Sequence, residues 1–335
     1  MVSLRAPEFW WRKAGARAAL LYPVSAIYGA IAKRRMTRSG YRAKIPVICI
    51  GNPTLGGAGK TPAAITIGGA LKREGKKVFF LTRGYGGSET GPLLVDLAKH
   101  DATAIGDEAP LLAAIAPTIV ARERVAGAKF AEASGAEFLI MDDGFQNPSL
   151  EKNFSMLIVD GTKGIGNGLV FPAGPLRAPL DAQLTRAQAM LIVGSGEAGE
   201  KAARLAKESG MQVFRAKLVA DPVSAAEIKN KRVLAFAGIG APEKFFRSLE
   251  MAGAIVEASR SFGDHHRYNE TEAAVLLAQA KAGGLDLVTT EKDLARMKGD
   301  ARLAALHTRS KVLRVQLALD DESGLIAAIR SSLKF

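Results

Sequence analysis

Cysteine is almost absent: the chain has one, Cys49, among 335 residues. A disulfide framework is therefore excluded, and the lone thiol suits a reducing compartment and a buried structural place. Histidine is scarce too, with four residues, and no Cys/His cluster has zinc spacing, so no structural metal is expected. The uncharged N-terminal run, residues 18–32, is interrupted by Pro23 and is shorter than the roughly 20 residues that cross a bilayer. No interleaved aromatic-and-basic pattern of an RNA-binding module occurs elsewhere, so nucleic acid is not an expected partner. Nothing calls for an obligate protein partner.

Acid is missing where base is concentrated. Residues 1–44 hold Arg5, Arg12, Lys13, Arg17, Lys33, Arg34, Arg35, Arg38, Arg42 and Lys44 against Glu8 alone, a net of +9 out of +13. Both tryptophans, in Phe9-Trp10-Trp11, lie in this segment with Leu20, Leu21, Tyr22, Val24, Ile27, Tyr28 and Ile31. Aromatic rings beside base suit a helix lying in a membrane interface, with rings at headgroup depth and cations on anionic lipid. A helix packed on the protein's own core is the other reading. A cleaved signal peptide fits less well, because Lys33-Arg34-Arg35 follows the run.

What is abundant is glycine at strand ends. Val47-Ile48-Cys49-Ile50 reads as a buried strand. It leads into Thr54-Leu55-Gly56-Gly57-Ala58-Gly59-Lys60-Thr61-Pro62 and then a helix-compatible stretch. Strand, glycine turn, Gly-Lys-Thr and helix make a phosphate-binding P-loop, with backbone N–H groups turned toward an anion at a helix N-terminus. Lys60 would reach the terminal phosphates of a nucleotide triphosphate, and the Thr61 hydroxyl would meet Mg²⁺. The loop is a variant, since Thr54 stands where the pattern has its first glycine.

From residue 45 to about 220, strand-like runs alternate with helical stretches: Val78–Leu81, Thr118–Val120, Phe138–Met141, Met156–Val159, Met190–Val193 and Val213–Leu218 follow the first. This alternation predicts an α/β fold, a mostly parallel P-loop sheet with helices on both faces. Ligands then sit beyond the strand carboxyl ends. There lie Arg83 and Tyr85, the Asp142-Asp143-Gly144-Phe145-Gln146 stretch, and Pro172-Ala173-Gly174-Pro175-Leu176-Arg177. Asp142 and Asp143 after an apolar strand match a Mg²⁺-holding Walker B carboxylate, although two aspartates can equally form a turn. Arg177 would be presented to an anion or be a plain surface arginine. Asp107 and Glu108 before an apolar helical run are explained as well by helix capping as by an active site.

Near residue 220 the pattern restarts, with Val233–Ala237, Ile255–Ala258, Leu287–Thr289 and Val312–Leu317 as strands. The expected division is a membrane-associating segment over 1–44, a P-loop domain over 45–215 and a smaller α/β domain over 216–335. The last helix is free to return to the first domain if Val213–Leu218 and Val312–Leu317 pair. In the second half, Asp264 stands beside His265, which it would orient for proton transfer.

The ordered set of Gly51-Asn52, the variant P-loop, Arg83-Gly84-Tyr85-Gly86, Gly106-Asp107-Glu108, Asp142–Gln146, Pro172–Arg177, Asp264-His265 and Thr290-Glu291-Lys292-Asp293 resembles the tetraacyldisaccharide 4′-kinase family over essentially the whole chain. Asn147 and Ala178 depart from the family's usual His and Glu. The resemblance implies transfer of the ATP γ-phosphoryl to the 4′-hydroxyl of a tetraacylated disaccharide 1-phosphate lipid, giving lipid IVA, at the cytoplasmic face of the inner membrane of a Gram-negative bacterium. ATP would lie on Thr54, Leu55, Gly56, Gly57, Ala58, Gly59, Lys60 and Thr61. Asp107 would be the general base, paired with His265, with Lys60 as a third catalytic group. Thr61, Glu108, Asp143 and Asp142 would hold Mg²⁺. Arg83, Tyr85, Arg124, Gln146 and Arg177 would orient substrate. Because His265 lies in the other domain, closure on ATP is expected to assemble the site. The basic N-terminus would carry the enzyme to its lipid. A kinase for a soluble small molecule and a membrane-bound ATPase switch are the alternatives. The first leaves the N-terminus unexplained; the second has no use for a hydroxyl-activating base.

Overall fold

A computed structural model describes residues 6–333. Arg5 of the basic segment lies outside the described residues. Thirteen strands run β1 Val47–Gly51, β2 Val78–Thr82, β3 Leu93–Leu94, β4 Thr118–Val120, β5 Phe138–Asp142, β6 Phe154–Asp160, β7 Ala189–Val193, β8 Gln212–Ala220, β9 Arg232–Ala237, β10 Ile255–Ser261, β11 Asp286–Thr289, β12 Ser310–Val312 and β13 Val315–Leu319. They form a nine-stranded sheet, β13-β8-β7-β6-β1-β5-β2-β4-β3, and a four-stranded one, β10-β9-β11-β12. Pairing is parallel throughout except at the two edges of the large sheet, β13 on β8 and β3 on β4.

The period-two geometry of a strand explains why β1 is apolar at every position. Val47 and Cys49 enter the core on one face of the sheet, Ile48 and Ile50 the core on the other, and all four are fully buried. The same division recurs in the small sheet, where Leu234 and Phe236 face one cluster and Val233, Ala235 and Ala237 the opposite one.

The expected strand Val312–Leu317 is in fact two. Ser310–Val312 completes the small sheet beside β11, whereas Val315–Leu319 pairs antiparallel with β8, with Leu317 opposite Leu218. The chain crosses at Leu313, buried under the small sheet, and Arg314, whose N–H donates to Ser224 Oγ at 3.1 Å. The C-terminal helix Glu322–Ser332 then buries Leu325, Ile326 and Ile329 in the core under the large sheet.

The helix Ala16–Met36 runs unbroken through Pro23. It docks by small residues: Ala18, Ser25 and Gly29 are buried, Ser25 Oγ donates to Val170 O at 2.6 Å, and a side chain at Gly29 would meet Pro179 and Val170. Apart from Met36, buried in the core at its C-terminal end, its large apolar residues lie toward solvent, Leu20 being 82% exposed with Val24, Ile27 and Ile31 exposed too. No described helix is long and apolar enough to cross a membrane. One of the two tryptophans differs from expectation. Trp10 is buried, its Nε1 donating to Pro172 O at 3.0 Å and its ring edge-on to Phe171. It is thus part of the fold that braces the P-loop and not an interfacial ring.

Candidate active site

Every loop leaving the carboxyl end of β1, β2, β5 and β6 opens on the same edge of the large sheet, where parallel topology requires a ligand to sit. The P-loop is held there by backbone contacts. Asn52 Nδ2 donates to Thr54 O at 2.6 Å and Gly56 O at 2.9 Å, Leu55 N to Pro175 O at 2.8 Å, and Arg177 Nε to Thr54 O at 3.1 Å. Gly56 and Gly59 take positive φ, 109° and 91°, which only glycine tolerates without strain. Thr54 has ordinary backbone and bridges to Leu176, so glycine is not required there.

The helix Lys60–Arg73 begins directly after Gly59 with no side-chain cap, and Gly56 and Gly57 face open space. Free N–H groups at a helix start, an open glycine turn and a buried cation, Lys60, fit a polyphosphate. A metal fits beside it. Thr61 Oγ1 donates to Asp142 Oδ2 at 3.0 Å, while Asp142 Oδ1 is buried with no hydrogen-bond partner. Burial, with the nearby Glu108 charge, pushes the Asp142 carboxyl up to about 7, as expected of a group built to face a cation. Among the described residues no three His, Cys, Asp or Glu side chains form a metal cage of their own. A Mg²⁺ ion, which keeps waters and borrows substrate phosphate oxygens, needs no such cage.

Asp143 is placed differently from its neighbour. Arg177 grips both its oxygens, Nη1 on Oδ1 at 2.8 Å and Nη2 on Oδ2 at 3.1 Å, and Lys60 Nζ is 3.5 Å from Oδ2. Asp142 and Thr61 are thus together, and Asp143 joins the two cations that flank the loop. Glu108 ion-pairs with Lys292 Nζ at 2.7 Å.

Asp107 lies behind this edge, its side chain 4% exposed. It meets His265 from the small-sheet unit, Nδ1 to Oδ2 at 3.2 Å, so the pair expected to form on closure is in contact here. Burial alone would raise the Asp107 carboxyl; the His265 hydrogen bond and the charge of Arg296 outweigh it and hold the group well below the usual carboxylate range. In return the Asp107 hydrogen bond raises the His265 pKa. Tyr85, 63% exposed, packs its ring edge-on to His265 at 5.2 Å. Beside Asp107 lies a cavity of about 40 Å³ lined by Tyr85, Thr103, His265, Arg267 and Arg296.

Two of the residues expected to orient substrate are engaged within the fold. Arg124 is buried, and its guanidinium is bound to Ala121 O and Asp143 O, so it props the aspartate turn and does not face an acceptor. Gln146 is half-buried, its Nε2 donating at 2.9 Å to both Asn52 O and Gln183 Oε1. Arg83 is exposed beside Tyr85. Two residues without an expected role prove central, Lys292 and Arg296, on the short helix Glu291–Met297. Lys292 lies within the quoted Thr-Glu-Lys-Asp stretch; Arg296, a lone helical arginine, carried no signal.

A P-loop sheet, a Thr–Asp pair for a cation and an acid–imidazole pair joining the two sheets define a nucleotide-dependent phosphotransferase. A family model, LpxK, tetraacyldisaccharide-1-P 4′-kinase, matches residues 17–334. The chain belongs to the tetraacyldisaccharide 4′-kinase family. It is 48% identical over 322 residues to the tetraacyldisaccharide 4′-kinase of Nitrobacter winogradskyi, covering 96% of each chain. It is 50% identical over 338 residues to that of Xanthobacter autotrophicus, covering 99% of this chain and 98% of the relative. Its fold is similar to a crystal structure of LpxK from Aquifex aeolicus in complex with ATP, with a TM-score of 0.72, 25% identity and coverage of 95% and 99%.

Proposed function

We propose that this chain transfers the γ-phosphoryl of ATP to the 4′-hydroxyl of an acylated disaccharide 1-phosphate, giving lipid IVA. The observation that carries the reading is the contact of Asp107 with His265, across the two sheets of a P-loop protein. A nucleotide switch needs the loop; only transfer to a hydroxyl needs a base and its partner beside it. Phosphoryl transfer asks mainly for positioning and charge stabilisation. In this chain the glycine turn and Lys60 bind the polyphosphate, and Arg177 holds Asp143 against Lys60, fixing the far wall. Thr61 and Asp142 would hold Mg²⁺, which neutralises charge on the phosphates when bound. Asp107 accepts the acceptor hydroxyl's hydrogen bond on Oδ1 while His265 shares Oδ2. As the oxygen–phosphorus bond forms and ADP leaves, the hydroxyl proton passes to this pair. Tyr85 and Arg83, both exposed, suit contact with sugar or phosphate.

The outward apolar strip of the Ala16–Met36 helix, flanked by Lys33, Arg34 and Arg35, supports docking on an anionic bilayer, the inner membrane's cytoplasmic face. A lipid with four acyl chains stays in the bilayer, so its kinase works at that surface. The test is product formation: Mg²⁺, ATP and the disaccharide 1-phosphate lipid in detergent should give a lipid one phosphate heavier. ATP turnover indifferent to the lipid, with no new product, would count decisively against transfer.

A further inference from the structure

We propose that Arg296 is a positioning residue for the transfer, fixing Asp107 by one oxygen from the small-sheet unit and leaving the other without a protein partner, to be met by the acceptor hydroxyl. The inference rests on the kinase reading above and adds to it a residue from the opposite unit.

Arg296 is 5% exposed. Its Nε donates to Asp107 Oδ2 at 2.8 Å, and its Nη2 binds the same oxygen. The third nitrogen, Nη1, is used on the far side, donating at 2.7 Å to both Asp293 Oδ1 and Gly238 O. Asp293 is fully buried and anchored in turn. It accepts from Gly238 N at 3.1 Å, Tyr268 Oη at 3.0 Å and Thr290 Oγ1 at 2.6 Å. The guanidinium plane is therefore fixed by the small-sheet unit before it meets Asp107.

The geometry is not that of simple glue. An arginine that only joins two units gains most from a parallel fork, one N–H to each carboxylate oxygen. Here Arg296 and His265 crowd onto Oδ2, and Oδ1 is buried without a partner. Leaving a buried acceptor unpaired is unfavourable for stability alone. An unpartnered oxygen on a carboxylate that lines a small cavity is what a group that must receive a hydrogen bond requires. The neighbouring pair repeats the arrangement: Lys292, one turn before Arg296 and on the same helical face, takes Glu108 at 2.7 Å. One face of a short helix thus sets two consecutive carboxylates of the other unit.

The experiment is a double-mutant cycle on the full-length chain, assayed with Mg²⁺, ATP and the disaccharide 1-phosphate lipid in detergent. R296Q should lower kcat at least tenfold with KM for ATP unchanged, and R296K, which keeps the charge but has one nitrogen, should also fall. In a D107A background, R296Q should cause no further loss, because residues acting through one group are non-additive. A folded R296K or R296Q with normal kcat, or losses that multiply in the double variant, would overturn the proposal. Absence of product from the unaltered protein would instead overturn the functional reading itself, and this inference with it.

Discussion

At the scale of single residues, the proposed mechanism assigns the two oxygens of Asp107 different tasks. One accepts from His265 and Arg296; the other is buried without a partner. Asp107→Ala removes the acceptor, so turnover should fall by about 10²–10⁴ while ATP binding persists, measurable by steady-state assay and nucleotide titration. A near-normal rate would remove Asp107 from the mechanism. His265 offers a second check. Its folded pKa is raised above 6.5, first by the Asp107 hydrogen bond. The stabilising interaction is thus full below the unfolded pKa and is lost as pH rises through the higher folded value. An NMR titration of the imidazole should show that raised value, and Asp107→Asn should bring it down; an unchanged titration would contradict the pairing.

At the scale of elements, the N-terminal helix has its polarity of size reversed from an ordinary core helix. Apart from Met36, small residues face the protein and large apolar ones face out, so the proposed membrane contact uses a different side from docking. Replacing Leu20, Ile27 and Ile31 together by serine should release the protein from anionic vesicles in a flotation assay, with little change in melting temperature. Retained binding would point to another anchor. Deleting the whole segment is a poorer test, because Trp10 and Ser25 are tied to the Pro172 and Val170 backbone. The same elements show what a sequence discloses. The P-loop and the Asp142–Asp143 turn were legible because phosphate and metal chemistry demand set residue types at set spacing. Trp10 was not, because an aromatic beside base reads alike whether it faces lipid or a proline-rich loop. Arg296 was invisible for a different reason: its meaning lies in Asp107, 189 positions away. The edge strand Leu93–Leu94 is too short to leave a period.

At the scale of the molecule, two sheets are joined so that the chain crosses and returns. β13 and the C-terminal helix come last in sequence yet complete the large sheet and its core. Leu325, Ile326 and Ile329 each contribute about 1.5–3 kcal/mol by burial, a sum comparable to a domain's whole stability. Truncation after Leu319 should therefore abolish cooperative melting of the P-loop unit; a truncated chain that melts normally and binds ATP would contradict this. The return also holds the small sheet over the site, where Arg267 Nη2 donates to Gly86 O at 2.7 Å and Lys244 binds Asp160 at 2.5 Å. All of it serves one event, phosphoryl transfer to a lipid sugar. The most direct measurement is mass spectrometry of the disaccharide 1-phosphate lipid after incubation with Mg²⁺, ATP and this protein. The account predicts a product carrying one additional phosphate on the 4′-oxygen, formed in step with ADP; ADP formed without that product, or no reaction at all, would contradict it.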